Sequence, residues 1–419
     1  PHVPPRRHRW TRVRWHCAAP LWRSDSAHVG CHIFNGQSGV PSVSGRSAAY
    51  IAFFLRIVLV CALLRPEVLF GARSINPEPV PVQPPEAVDA AIRKAAGFLV
   101  RTQSPDGGFV DPSRNTHAIA MTALSLMALA SVGHQPVDKS PEGQAMYRGL
   151  NYILRPTDTS PQFLGGYYGK LDNSRMYGQG IITLALTELM GMGATKAQDT
   201  LIQDRAIRGI NVILRAQQAK KHDPKFYGGW RYQPSAGDAD LSVSVWQLMA
   251  LRSARNAGLG VSTGAIDAAV GYLRRSYHSG RDSTGKATNS KSGFGYTPGQ
   301  GPTYAMTAAG LLAMQVTGNY DAPETLGAAR WLGEQRLNFN SNYFLYGTYY
   351  YSQGMKKIGG ETARKARQAV ENTLLPNQSG DGSWTVKSGS ESKHGRIYTT
   401  TLAMLSLSVK FNFLPIYQD

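Results

Sequence analysis

From residue 86 onward, two kinds of helical pattern alternate. "AAIRKAAGFLVRTQ" (Ala90 to Gln103) places apolar residues three and four apart with charge between them, which predicts an amphipathic helix with one buried face. "HAIAMTALSLMALASVG" (His117 to Gly133) is small and apolar nearly all round, which predicts a helix buried on most sides. The pair recurs, and six units are counted by their first helices: "IRKAAGFLV", "MYRGLNYIL", "AIRGINVIL", "AIDAAVGYL", "LGAARWLGE" and "RKARQAVEN". The intervening loops carry Gly and an aromatic: "GGF" (Phe109), "GGY" (Tyr167), "GGW" (Trp230), "SGFGY" (Phe294, Tyr296) and "GDGSW" (Trp384). In the fifth unit, "NYFLYGTYYY" (Asn342 to Tyr351) replaces the loop. A hydroxyl recurs once per second helix, at Thr122, Thr183, Ser244, Thr307, Thr348 and Thr400.

A helix pair cannot bury its apolar face alone, so neighbouring pairs must stack. Apolar second helices belong inside and amphipathic first helices outside. The pattern predicts an all-α (α/α)6 toroid of two concentric rings over residues 87–410, with an open solenoid as the alternative. One phrase is written twice: "QSPDGGF" (Gln103 to Phe109) and "QSGDGSW" (Gln378 to Trp384) share Gln, Gly and an aromatic at fixed spacing. We read it as a clasp. The glycines allow a tight turn, the Gln amide can satisfy open backbone groups at a helix end, and the aromatic packs onto the neighbouring outer helix.

Composition refines the boundaries. The formal charge is +18, and residues 1–75 hold ten Arg against Asp25 and Glu67. The excess suits an anionic membrane surface. No basic stripe interleaved with aromatics supports nucleic acid as a partner. Residues 1–46 read as an unassigned basic leader. Residues 47–75 contain "YIAFFLRIVLVCALL" (Tyr50 to Leu64), which is short for a membrane span and suits a signal-peptide core or an uncleaved anchor. Export or membrane anchoring, with an extracytoplasmic body, is the expected localisation. A Pro-rich linker follows over 76–86, and 411–419 reads as a C-terminal tail. Cys17, Cys31 and Cys61 all precede the repeats, so the body is expected to lack thiol chemistry and Cys metal ligands.

The clasp motifs resemble the QW repeats of squalene–hopene cyclases, and residues 87–410 resemble the prenyltransferase and squalene-oxidase repeat superfamily of terpenoid cyclase-like toroids. That resemblance implies an (α/α)6 toroid and an apolar isoprenoid substrate. It directs attention to "GDADLSVSVWQLMAL" (Gly237 to Leu251), which is similar to the D-x-D-D motif whose middle Asp protonates an alkene or epoxide. Asp238 and Asp240 match its first two acids; Leu241 stands in place of the third, and Ser242 in place of Thr. Paired carboxylates raise one another's pKa, and aromatic faces stabilise carbocations, so these two residues could be a catalytic pair. Asp before an apolar helix is also a helix cap. The substrate cavity is expected to be lined by Trp230, Trp246, Tyr177, Tyr304, Tyr349, Tyr350 and Tyr398, with its mouth at "GGWRYQPSAGDADLS" (Gly228 to Ser242).

Related chemistries need groups the body lacks. The zinc sites of protein prenyltransferases and lanthionine cyclases require Cys, as does a thioester. His117, His222, His278 and His394 show no metal-ligand spacing, so no metal and no cofactor is expected. A toroid glycosidase or lyase needs two opposed acids, for which Asp240 could pair with Asp106, Asp172 or Asp381. Three functions follow: a terpene cyclase-like enzyme, a non-catalytic exported toroid binding a lipid, glycan or peptide, and a glycosidase or lyase. The expected partner is an apolar small molecule or a polymer in the central cavity.

Overall fold

A computed structural model describes residues 83–111, 117–155, 162–411 and 413–418. The leader, the signal-like segment and most of the Pro-rich linker lie outside the described residues. Those that are described form twelve α-helices and no β-strand. The outer helices are α1 (Pro85–Thr102), α3 (Pro141–Ile153), α5 (Lys196–Gln217), α7 (Thr263–Ser276), α9 (Pro323–Gly333) and α11 (Gly360–Leu374). The inner helices are α2 (Ala118–Ala130), α4 (Arg175–Glu188), α6 (Leu241–Asn256), α8 (Tyr304–Val316), α10 (Phe344–Ile358) and α12 (Gly395–Leu407). Each inner helix packs on the next, and α12 packs back on α2, so the ring is closed rather than an open solenoid.

The recurring hydroxyls all lie on inner helices and are fully or almost fully buried. Four of them accept a hydrogen bond from the backbone N–H of their own repeat's clasp aromatic. The pairs are Phe109 with Thr122 at 2.9 Å, Trp230 with Ser244 at 2.9 Å, Phe294 with Thr307 at 3.1 Å and Trp384 with Thr400 at 3.2 Å. The hydroxyl thus ties each loop down onto the inner ring.

The clasp reaches outward as well. Gln103 Nε2 donates to Gly107 O (2.9 Å) and to Ala145 O on the next outer helix (2.8 Å). Gln378 Nε2 makes the same pair of bonds, to Gly382 O (3.0 Å) and to Ala91 O (2.9 Å). The second clasp therefore joins the sixth repeat to the first and shuts the outer ring. Gly107 and Gly382 have φ of 96° and 93°, and a Cβ on either would collide with the backbone carbonyl of Arg148 or Lys94 on the neighbouring helix. A third clasp, hidden in the sequence, uses Gln217 Nε2 to Gly228 O (3.1 Å) and Ala265 O (2.9 Å).

Arginines on the outer helices, or just past the end of one in the case of Arg155, bolt the joints between repeats. Arg101 donates to Asp381 O (2.7 Å), Arg155 to Asp106 O (2.7 Å), Arg208 to Leu164 O (2.8 Å), Arg275 to Lys225 O (3.1 Å) and Arg330 to Ser290 O (2.9 Å). Part of the body's positive charge is therefore committed to joining repeats.

The segment read as a tail packs across the C-terminal ends of the inner helices, with Ile416 and Tyr417 buried. Ile416 N donates to Glu188 Oε2 (3.0 Å), Lys357 Nζ donates to Tyr417 O (3.1 Å), and the Tyr417 and Tyr349 hydroxyls bond to each other.

Candidate ligand site at the mouth of the ring

The inner helices present their N-termini at one face, which forms the mouth. A helix N-terminus leaves backbone N–H groups open and carries partial positive charge. Here each repeat's loop tends to close the preceding inner helix. Asp172 Oδ2 accepts from Ala120 N on α2 at 2.9 Å. Asp111 Oδ2 accepts from Arg396 N on α12 at 2.8 Å. Glu391 accepts from Leu345 N and Tyr346 N on α10 at 3.1 and 2.8 Å. On α4 and α6 the acceptors are backbone carbonyls: Tyr232 O from Met176 N at 3.0 Å, and Tyr296 O from Leu241 N at 2.8 Å. Asp111, Tyr232 and Tyr296 each stand two residues after their clasp aromatic, so one loop position does the same job with different groups.

Asp240 caps its own helix. Its Oδ1 accepts from Val243 N (2.9 Å) and from the Ser242 hydroxyl (2.6 Å), and the residue is fully buried. Arg231 Nε lies 3.0 Å from Asp240 Oδ2, an ion pair rather than an aligned hydrogen bond, and Arg231 Nη1 donates to Asp238 Oδ2 at 2.9 Å. Burial pushes the Asp240 carboxyl above its ordinary range, while Ser242, the Val243 N–H and Arg231 pull it back. Lys221, itself buried, braces the loop by donating to Ala236 O (2.9 Å) and Asp238 O (3.3 Å).

Three half-buried tyrosines surround the Arg231 bridge. The guanidinium sits 5.0 Å from the Tyr232 ring centroid and 5.5 Å from that of Tyr296. Tyr177 stacks on Tyr232 at 6.0 Å, the Tyr232 and Tyr296 hydroxyls bond at 2.5 Å, and the Tyr177 hydroxyl bonds to that of Ser242.

The other expected lining residues divide. Trp230 is a clasp residue: its Nε1 donates to Ile213 O at 2.8 Å and its ring is buried away from the mouth. Trp246, Tyr349 and Tyr350 are fully buried in a packed inner ring, with Trp246 stacked on Tyr349 at 5.7 Å and set edge-on to Tyr350 at 5.6 Å. They fill the space where an open chamber was expected. Tyr304 and Tyr398 stay half-buried near inner-helix starts, Tyr304 stacked on Phe344 at 6.5 Å and Tyr398 5.0 Å from His394. Asp106 and Asp381 occupy clasp turns, each accepting from its neighbouring Ser hydroxyl and paired with Arg155 and Arg396. Asp172 caps α2. A groove of about 920 Å³ lies instead on the outer ring, lined by residues such as Phe163, Asp204, Arg208 and Arg215. Among the described residues, no group of three or more His, Cys, Asp or Glu could hold a metal ion.

Of the candidate residues, the sequence reading did not single out Glu391, and it contained Arg231 and Tyr232 in the mouth segment and Tyr296 in a loop motif without giving them a role. The shared offset from the clasp aromatic was the signal for the two tyrosines.

The fold is an α/α toroid. Known proteins bear this out at the level of architecture. No family model matches the sequence, and no curated protein is significantly similar to it. An inactive variant of the α-1,6-mannanase GH76A of Salegentibacter sp. HEL1_6, in complex with α-1,6-mannotetrose, aligns over 78% of this chain and 99% of its own, at 10% identity and a TM-score of 0.54. The apo type II terpene cyclase MstE from Scytonema aligns over the same shares at 16% identity and a TM-score of 0.47.

Proposed function

We propose that this chain is a ligand-binding toroid that takes its ligand at the mouth, over the second to fourth repeats, and does not initiate cyclisation by protonation. The observation that carries this reading is the state of Asp240. A proton donor to an alkene needs a carboxyl that holds a proton and aims it into a dry cavity. Asp240 has one oxygen committed to its helix cap and the other beside Arg231. The Ser242 hydroxyl, the Val243 N–H and Arg231 favour the anion against a burial that raises the carboxyl's pKa, and none of these groups aims a proton into a cavity. The inner ring behind it is packed with aromatic side chains, so a polyene would have to displace Trp246 and Tyr349 to lie along the axis. The signal-like segment supports an exported binder, outside the compartment of membrane-borne isoprenoid synthesis.

The purified chain incubated with squalene and with geranylgeranyl-type polyenes should yield no cyclised product. A cyclised product from the wild type, lost on Asp240→Asn, overturns the reading and restores a cyclase.

A further inference from the structure

Six helix N-termini around one opening would ordinarily make an anion site. This opening already holds its own carboxyl groups. Asp111, Asp172, Asp240 and Glu391 sit on four of the six inner-helix starts. Arg231 is shared between Asp238 and Asp240, so its charge is more than matched. A diphosphate or sulfate arriving there would meet fixed carboxylates rather than open N–H groups, and would lose more hydration than it regained. The mouth is therefore built against anionic ligands.

What it leaves accessible is different in kind. Arg231 and Asp238 keep 24% and 34% of their side-chain surface, and Tyr177, Tyr232 and Tyr296 are partly buried beside them and keep a smaller exposed share. Asp238 offers lone pairs and Arg231 offers N–H groups on one rigid edge. The tyrosine rings, partly covered by Arg231 and by each other, add the aromatic surface that remains beside this edge. The hydrogen bonds and ion pairs among these five residues hold them in place before a ligand arrives, which lowers the ordering cost of binding. Aromatic surface next to a paired donor and acceptor matches a saturated ring with C–H groups on one side and neighbouring hydroxyls on its rim.

We propose that the Arg231–Asp238 sector, with Tyr177, Tyr232 and Tyr296, is a subsite for one neutral sugar ring of a glycan. The proposal rests on the ligand-binding reading above and names its ligand class. Vicinal hydroxyls donate to Asp238 and accept from Arg231, and the ring lies on a tyrosine face.

The test uses the full chain on an array of neutral and anionic glycans, followed by calorimetry with neutral tetrasaccharides. α-1,6-Mannotetraose, cellotetraose and maltotetraose are the first probes, with a heparin tetrasaccharide and geranylgeranyl diphosphate as anionic comparisons. At least one neutral glycan should bind, with an affinity that barely changes between about 0.05 and 0.5 M salt. Tyr232→Ala should weaken it about tenfold or more, whereas Tyr232→Phe, which keeps the ring, should retain most of it. Tyr227→Ala, at an exposed position on the outer side of the same loop, should change nothing. Circular dichroism confirms that each variant is folded. Absence of any neutral-glycan binding, or preference for an anionic probe with steep salt dependence, overturns the proposal. Neither of those outcomes bears on cyclisation, which is read separately from product formation.

Discussion

The four hydroxyls that hold the clasp loops make a quantitative prediction. In Thr122→Val the shape is kept but the buried N–H of Phe109 loses its acceptor, now 2.9 Å away. An unsatisfied buried donor costs about 1–3 kcal/mol. The second bond of that hydroxyl, to Ala118 O at 2.7 Å, adds little, because that carbonyl also accepts within the helix. Thr307→Val, Thr400→Val and Ser244→Ala strip the same bond from Phe294, Trp384 and Trp230, so each should cost about 2 kcal/mol. The remaining two positions are built differently. Thr183 accepts only a long 3.4 Å bond from Gln179, and Thr348 bonds the hydroxyl of half-buried Tyr304 at 3.0 Å. Their valine variants should cost less than about 1 kcal/mol. Urea unfolding reads all six, provided the m-values agree. Equal losses at all six sites, or losses below about 0.5 kcal/mol at the four clasp sites, refute the tether.

Trp384→Ala removes a fully buried indole and leaves Leu374 O without the bond it accepts at 2.8 Å; denaturant unfolding should register a loss of roughly 3–5 kcal/mol. Asp240→Asn keeps a competent cap but takes one of two anions from Arg231, so the melting curve should show a loss of about 1–3 kcal/mol rather than unfolding. Burial raises the Glu188 carboxyl from 4.5 to about 7, so the folded chain binds this proton more tightly than the unfolded chain. The group's contribution is therefore greatest below the unfolded value and declines as pH rises to about 7, by about 3 kcal/mol in all. Glu188→Gln should flatten that slope in a stability–pH series, and an unchanged slope would show that Glu188 is not responsible.

The repeat count, the two rings and the inner position of the six hydroxyls were legible because each is written in local periodicity. The clasps at Gln103 and Gln378 were legible because Gln, Gly and aromatic lie within seven residues. The clasp at Gln217 was not, since residues 218–227 are looped out between its Gln and its Gly. The mouth was half legible. Asp240 was visible as a cap or an acid, but its pairing with Arg231 depends on how the loop folds back over nine residues. The caps supplied by Asp111, Asp172 and Glu391 connect segments 45 to 285 residues apart, and no local pattern announces them. The aromatic residues near inner-helix starts were seen, but composition does not say whether a ring faces an opening or fills it.

The seam between Gln378 and Ala91 has a consequence for how this molecule comes apart. A row of stacked repeats with free ends melts from those ends inward, one unit at a time, because an end unit has a single neighbour. In this chain every hairpin has two neighbours, and the first is braced by the last. Peeling has nowhere to begin. Opening any joint must break a hairpin away from a neighbour on an otherwise closed ring, and the first breach leaves two new ends exposed together. The twelve helices should therefore stand or fall in one cooperative step, much as an arch keeps its shape until one stone goes.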